Sequence, residues 1–237
     1  MILKLETALK QIVQTLAQGG QPLEVGDACN QSGTLHDMNL SEQDSEANST
    51  LVCNCTLNLN NDSYCHITSF DLTRNYISGN IPEEWASMKH LTYLSLTSNR
   101  LSGNIPGYLG NFRSLTYLSL EANQFSGTIP FQLGDLVNLT DLILSSNQLE
   151  GNLPNTLAKL NLTDFRASDN NLGGRIPDFI GNWSNLDRLE LYASGLEGPI
   201  PPAILSVEKL TDLVLRNINL AGVIPRDVWT SGSLKTL

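Results

Sequence analysis

Three sets of side chains in this sequence have types and spacing that suit chemistry: its histidines, its cysteines, and tyrosines and charged residues recurring at near-constant spacing. An imidazole works as a general base, a nucleophile's partner or a metal ligand only beside a second positioned group. His36, His66 and His90 have no such neighbour by spacing, since the chain contains no H-E-x-x-H, G-x-S-x-G or P-loop pattern. A Ser–His–Asp triad is defined by geometry, and its sequence signature is lacking here. The histidines therefore read as surface or terminal-segment groups. No catalytic residue, metal or other cofactor is expected.

The cysteines point to a compartment. Cys29, Cys53, Cys55 and Cys65 all fall in the first 65 of 237 residues, and none follows. The run C-x-C-x9-C with Cys29 far upstream matches no common zinc pattern. An even number in one short segment predicts two disulfides, which persist only under oxidising conditions. Three pairings are open, with Cys55–Cys65 and Cys29–Cys53 the preferred set. Eight N-x-[ST] acceptors, at Asn30, Asn39, Asn48, Asn54, Asn61, Asn138, Asn161 and Asn182, favour passage through the secretory pathway. Fourteen basic against 24 acidic residues leave a net charge of −10. That balance repels phosphate backbones and anionic headgroups, so nucleic acid and membrane surfaces are excluded as partners.

Recognition chemistry lies further along the chain. Tyr93 and Tyr117, then Asp141, Asp164, Arg166, Arg188 and Glu190, occupy outward positions in a sequence that repeats. Repeat units begin at Ile67, Leu91, Leu115, Leu139, Leu162, Leu186 and Leu210, and an eighth opens at Leu234. The template is LxxLxLxxNxLxGxIPxxLGxLxx. Every complete unit keeps its glycine (Gly79, Gly103, Gly127, Gly151, Gly174, Gly198, Gly222) and its proline (Pro82, Pro106, Pro130, Pro154, Pro177, Pro201, Pro225). In LxxLxL the leucines alternate with polar residues, a period of two that predicts one short strand per unit with leucines inward. One unit cannot bury its own apolar face, whereas stacked units bury a continuous one. The asparagine after each strand (Asn75, Asn99, Asn123, Asn147, Asn170) is expected to satisfy backbone groups, and the position is lost at Ser194 and Ile218. The proline is expected to keep the convex side irregular.

Stacking aligns the outward positions in columns across a concave face. One column reads Ser69, Tyr93, Tyr117, Asp141, Asp164, Arg188 and Asp212; the next reads Asp71, Ser95, Ser119, Ile143, Arg166, Glu190 and Val214; a third exposed column reads Thr73, Thr97, Glu121, Ser145, Ser168, Tyr192 and Arg216. Tyr93 and Tyr117 are expected side by side, about 4.8 Å apart, a platform for a sugar ring or an extended peptide. The charged residues beyond them form a mixed patch that binds a charged ligand or neutralises itself.

The LxGxIPxxLGxL template resembles the plant class of leucine-rich repeats found in receptor-like kinase ectodomains. ETALKQIVQTL, the Asp27–Cys29 element, CNCTLNLNNDSYCHITSFDL, ASGLEGPIP, LVLRNINLAGVIP and LKTL are similar to the subfamily with a malectin-like domain after the repeats. The resemblance implies a right-handed α/β solenoid with a parallel concave sheet. It divides the chain into an N-terminal helical, disulfide-bonded cap (1–66), seven repeats (67–233) and the start of a truncated eighth (234–237). It also implies a serine/threonine kinase and a membrane span in the whole protein. The kinase phosphate loop and catalytic Asp do not occur here, and the opening residues 1–17 have helical rather than signal-peptide patterning. The expected piece is an N-terminal ectodomain fragment on the outer side of the plasma membrane. Its expected partners are a peptide, a cell-wall oligosaccharide or a co-receptor ectodomain. A secreted inhibitor of a cell-wall-degrading enzyme is the alternative. Residues 30–50, rich in Asn, Ser and Asp, are expected to be a flexible loop.

Overall fold

Alternating leucines build the observed architecture, a leucine-rich-repeat solenoid. The computed structural model describes residues 36–38, 49–57, 63–222, 224–225 and 233–236. The helix expected within 3–17, Cys29 and the sequons at Asn30, Asn39, Asn48 and Asn61 lie outside those residues.

The concave layer is a nine-stranded sheet. Its strands in spatial order are β1 (His36–Met38), β2 (Ser49–Leu57), β3 (Ser63–Asp71), β5 (Tyr93–Ser95), β7 (Tyr117–Ser119), β9 (Asp141–Ile143), β11 (Asp164–Arg166), β13 (Arg188–Glu190) and β14 (Asp212–Val214). From β3 onward the pairing is parallel, one strand per coil, and an isolated bridge from Asp212 to Thr236 continues it into the eighth coil. β1 and β2 pair antiparallel on the N-terminal side, so the 30–50 stretch read as a loop contains a short strand. The β2–β3 register sets Cys55 opposite Cys65.

Inward residues form one continuous core. Phe70, Leu94, Leu118, Leu142, Phe165, Leu189 and Leu213 are fully buried. Trp183 packs edge-on to Phe165, and its Nε1 donates to Leu157 O of the preceding coil at 3.2 Å. The convex side is more regular than expected. After each proline the chain makes a 3-10 turn: η1 (Glu83–Ser87), η2 (Gly107–Asn111), η3 (Phe131–Asp135), η4 (Asn155–Lys159) and η5 (Asp178–Asn182). A four-residue α-helix, Pro202–Leu205, takes the sixth place. Each proline is the N-cap, with an extended ψ (133° at Pro106, 132° at Pro130), and its missing N–H costs nothing at the start of a turn.

Between the two layers lies a second parallel sheet of five strands: β4 (Ser78–Gly79), β6 (Arg100–Asn104), β8 (Gln124–Thr128), β10 (Gln148–Gly151) and β12 (Asn171–Leu172). Gly103 and Gly127 within it, and Gly174 just after β12, have positive φ, and a Cβ there would fall within 2.6 Å of the Asn80, Asn104 or Asn152 side chain of the preceding coil. No helix among the described residues is long and apolar enough to cross a membrane.

Candidate functional site on the concave face

The register matches the columns read from the sequence. Ser69 pairs with Tyr93, Tyr93 with Tyr117, Tyr117 with Asp141, Asp141 with Asp164, Asp164 with Arg188, and Arg188 with Asp212. Strand spacing sets the Tyr93 and Tyr117 rings in parallel stacking, centroids 4.5 Å apart and planes 7° apart. Each ring covers one face of the other. The pair therefore shows edges, hydroxyls and one outer face of each ring to an incoming ligand.

Beneath the rings runs a hydroxyl ladder. Thr73 Oγ1 meets Ser95 Oγ at 2.7 Å, Ser95 Oγ donates to Thr97 Oγ1 at 3.2 Å, and Thr97 Oγ1 meets Ser119 Oγ at 2.6 Å. Ser95 and Ser119 are buried. The Tyr93 hydroxyl donates to Asp71 Oδ2 at 3.3 Å, and burial with the Asp71 charge pushes its pKa up. Burial likewise raises that of Tyr117. Both phenols stay protonated and serve as donors at neutral pH. The third column is less exposed than expected, since Ser145 and Ser168 are buried. There the Ser168 N–H donates to Ser145 Oγ at 3.1 Å.

The charged patch largely neutralises itself. Arg166 Nε donates to both Asp164 carboxylate oxygens, at 2.9 and 3.1 Å. That pairing, followed by the Asp164, Glu190 and Glu121 charges, holds the guanidinium above its ordinary pKa. Arg188 lies 3.5 Å from Asp212 and 3.9 Å from Glu190, long contacts at a half-exposed site that contribute little to stability. Arg216 caps the Tyr192 ring at 4.9 Å. Asp71, Glu121, Asp212, Tyr192 and the hydroxyl ladder were absent from the candidate residues, although the column reading already held their positions.

Three sequons within the described residues, Asn138, Asn161 and Asn182, lie outside the three outward columns. Asn54, Asn138, Asn161 and Asn182 are all exposed. Asn138 and Asn161 occupy the column just before the strands, where each amide bonds to a neighbouring coil: Asn138 Nδ2 to Arg113 O at 2.7 Å, and Asn161 Oδ1 from Asn185 N at 3.2 Å. His66 and His90 belong to the same lateral column, stacked with centroids 3.9 Å apart. Burial, then the His90 charge, lowers the His66 pKa. The unfolded chain therefore takes up that proton first, and native stability falls as the pH drops from about 6.5 towards the lowered value. Acidification from about pH 7.5 to about pH 5 is expected to lower the melting temperature more in the parent than in His90→Gln. Equal falls would show the pair to be without effect.

Comparison with known proteins agrees with the repeat. The model of the Leucine rich repeat family matches residues 65–125, and a second Leucine Rich Repeat model matches 138–160 and 161–183. No curated protein matches the sequence. Among solved structures, the PEPR1–AtPEP1 complex superposes with a TM-score of 0.73 at 30% identity, covering 100% of this chain and 30% of that one. The ectodomain of the Arabidopsis receptor kinase HAESA, in complex with an N-terminally extended IDA peptide hormone, gives 0.69 at 33% identity over 72% of this chain and 29% of that one. The SOBIR1 receptor kinase ectodomain of Arabidopsis thaliana gives 0.65 at 27% identity, covering 83% and 96%. The structural neighbours are thus plant leucine-rich-repeat receptor kinase ectodomains. The chain spans about 30% of the length of the first two described.

Proposed function

We propose that this chain is the ligand-recognising part of a plant receptor-like kinase of the malectin-domain subfamily, displayed outside the cell and binding an extended peptide or a partner ectodomain through its concave face. The observation that carries the reading is the continuous parallel sheet whose outward columns pair a tyrosine platform with polar and charged groups. Its likeness to ectodomains solved with peptide hormones supports the same reading. A solenoid presents such a face as a broad concave surface, and an extended chain follows it coil by coil. Recognition then couples to signalling when the bound ligand also touches a second ectodomain and brings two kinases together.

Exposed Asn138, Asn161 and Asn182 are suited to carry glycans that leave the concave face open, and exposed Asn54 is a further acceptor in the N-terminal segment. The facing Cys55 and Cys65 positions suit a disulfide in the N-terminal segment, since antiparallel partners bring Cα atoms within about 5.5 Å.

Two measurements test the reading. The full transcript is expected to encode a membrane span and a serine/threonine kinase after these repeats; a reading frame with neither removes the receptor assignment. Selection of a displayed random dodecapeptide library on the glycosylated chain is expected to enrich peptides that bind about tenfold more weakly to Tyr93→Ala/Tyr117→Ala, the loss typical of aromatic anchors. Unchanged affinity in that variant, with its melting temperature preserved, removes the concave face as the binding surface.

A further inference from the structure

The concave face carries unbalanced charge, and the imbalance centres on one end of the tyrosine pair. Its three outward columns hold six carboxylates (Asp71, Glu121, Asp141, Asp164, Glu190, Asp212) against three guanidinium groups (Arg166, Arg188, Arg216). Every guanidinium is already engaged, with Asp164, with Glu190 and Asp212, or over the Tyr192 ring. Asp71 accepts both the Tyr93 hydroxyl and the Thr73 N–H.

Glu121 is different. Among the described residues no hydrogen bond or ion pair reaches its carboxylate, which stands half-buried in the coil of Tyr117. Partial desolvation raises its pKa, with Arg166 opposing the effect and Glu190 and Asp164 adding to it. Asp141 is paired in register with Tyr117 on the side away from Tyr93, and among the described residues its carboxylate accepts only Thr140 Oγ1, at 2.6 Å. The Tyr117 ring thus has one face covered by Tyr93 and the other on the side of the Asp141 strand, while Glu121 follows in Tyr117's own coil; the charges of Arg166, Asp141 and Glu121 all bear on the phenol. An aromatic face with two carboxylates acting on it, and with the one nearby guanidinium already bonded to Asp164, attracts a cation on a flexible apolar stem: the stem lies on the ring and the head reaches the oxygens. The net charge of −10 adds long-range attraction of the same sign.

We propose that the ligand of the concave face is a cationic peptide segment, one of whose Lys or Arg side chains seats on the Tyr117 ring between the Glu121 and Asp141 carboxylates. This rests on the recognition role proposed above and adds the chemistry of the occupant.

The same dodecapeptide selection, read for composition, tests it on the whole glycosylated chain. Enriched peptides are expected to contain an excess of Lys and Arg. Replacing the key Arg by citrulline in a synthetic copy should weaken binding about fivefold, the size of one cation–π or ion-pair contact at a half-exposed site. Glu121→Gln/Asp141→Asn should produce a similar loss and remove the basic preference, while Glu83→Gln/Glu150→Gln, which removes equal charge from exposed positions elsewhere, should leave both intact. Peptides that depend on Tyr93 and Tyr117 but show no basic preference overturn this inference and leave the recognition role standing. A basic preference equally reduced by both charge pairs overturns it too, since general attraction would then account for the selection. If no enriched peptide depends on the tyrosines, the recognition role fails and the inference with it.

Discussion

Replacing Asn123 by leucine is expected to remove about 3 kcal/mol from the stability of the stack, because it leaves buried backbone groups without partners. The Asn123 Oδ1 accepts the Leu101 N–H of the preceding coil at 3.0 Å. Its Nδ2 donates to Leu96 O at 2.8 Å, and to Leu120 O and Glu121 O at 3.1 Å each. The carbonyl loss is shared, since Leu96 O also receives Asn99 Nδ2 and Leu120 O also receives Asn147 Nδ2. Leu101 N–H has no such second partner, so its orphaning dominates the cost. Leucine keeps the branching at Cγ, with somewhat larger methyl groups, and removes all four bonds at once. Coils of a solenoid open semi-independently, so the direct readout is hydrogen exchange at Leu101 beside the global melt. A Leu101 amide as protected in the variant as in the parent would refute the ladder as the chief brace of this face.

Gly134→Ala is expected to cost about 2 kcal/mol by overpacking, although alanine is the better helix former. Gly134 sits in η3, and a Cβ there would come within 2.3 Å of Thr156 O and 2.6 Å of Thr156 Cβ in η4 of the next coil. A carbonyl oxygen in a fixed turn cannot swing aside, so the coils must separate. The molecule already shows the two outcomes. Where Gly110, Gly134 and Gly181 occupy this place, the following turn packs closely; where Ala86 and Ala158 do, η1 with η2 and η4 with η5 touch much less. The variant should melt several degrees lower, with protection lost at the η3–η4 contact. An unchanged melting temperature would mean that the glycine follows from composition and not from packing.

The candidate site was legible as far as strand register, and no further. Tyr93, Tyr117 and Asp141 fall in one column because a parallel sheet with one strand per coil leaves no other alignment, and the pairing confirms it. How those side chains spend their hydrogen bonds is another matter. Arg166 turns to Asp164 two residues away on its own strand, and Glu121 is left without an ion pair. Rotamer choice decides that, and spacing does not encode it. The ring geometry divides in the same way: spacing set Tyr93 and Tyr117 side by side, and only the structure shows their rings stacked face to face.

The lost ladder asparagine at Ser194 shows the same division. Its absence was visible in the chain; its repair was not. There the Leu172 N–H of the preceding coil turns to the Ser194 backbone O at 2.8 Å, while the Ser194 hydroxyl accepts the Leu196 N–H at 3.4 Å.

By itself the sequence determined the repeat, its period, its inward leucines and the start of each rung, because an apolar face every coil can be buried only by the next coil. Tertiary structure alone decided the rest. Arg74, Ser98, Ala122, Ser146, Asp169, Ala193 and Asn217 all take positive φ between 48° and 58° just after the strands. None is glycine, and no shared residue type marks the place. The left-handed turn costs of order 1 kcal/mol per residue; five of the seven precede a ladder asparagine, and Ala193 and Asn217 keep it without one, so the adjacent coil and not the residue type decides it. The second sheet arises likewise, from strands of two to five residues that pair only once the first sheet has set the coils side by side. Such short strands have no stability without neighbours, so no local pattern announces them.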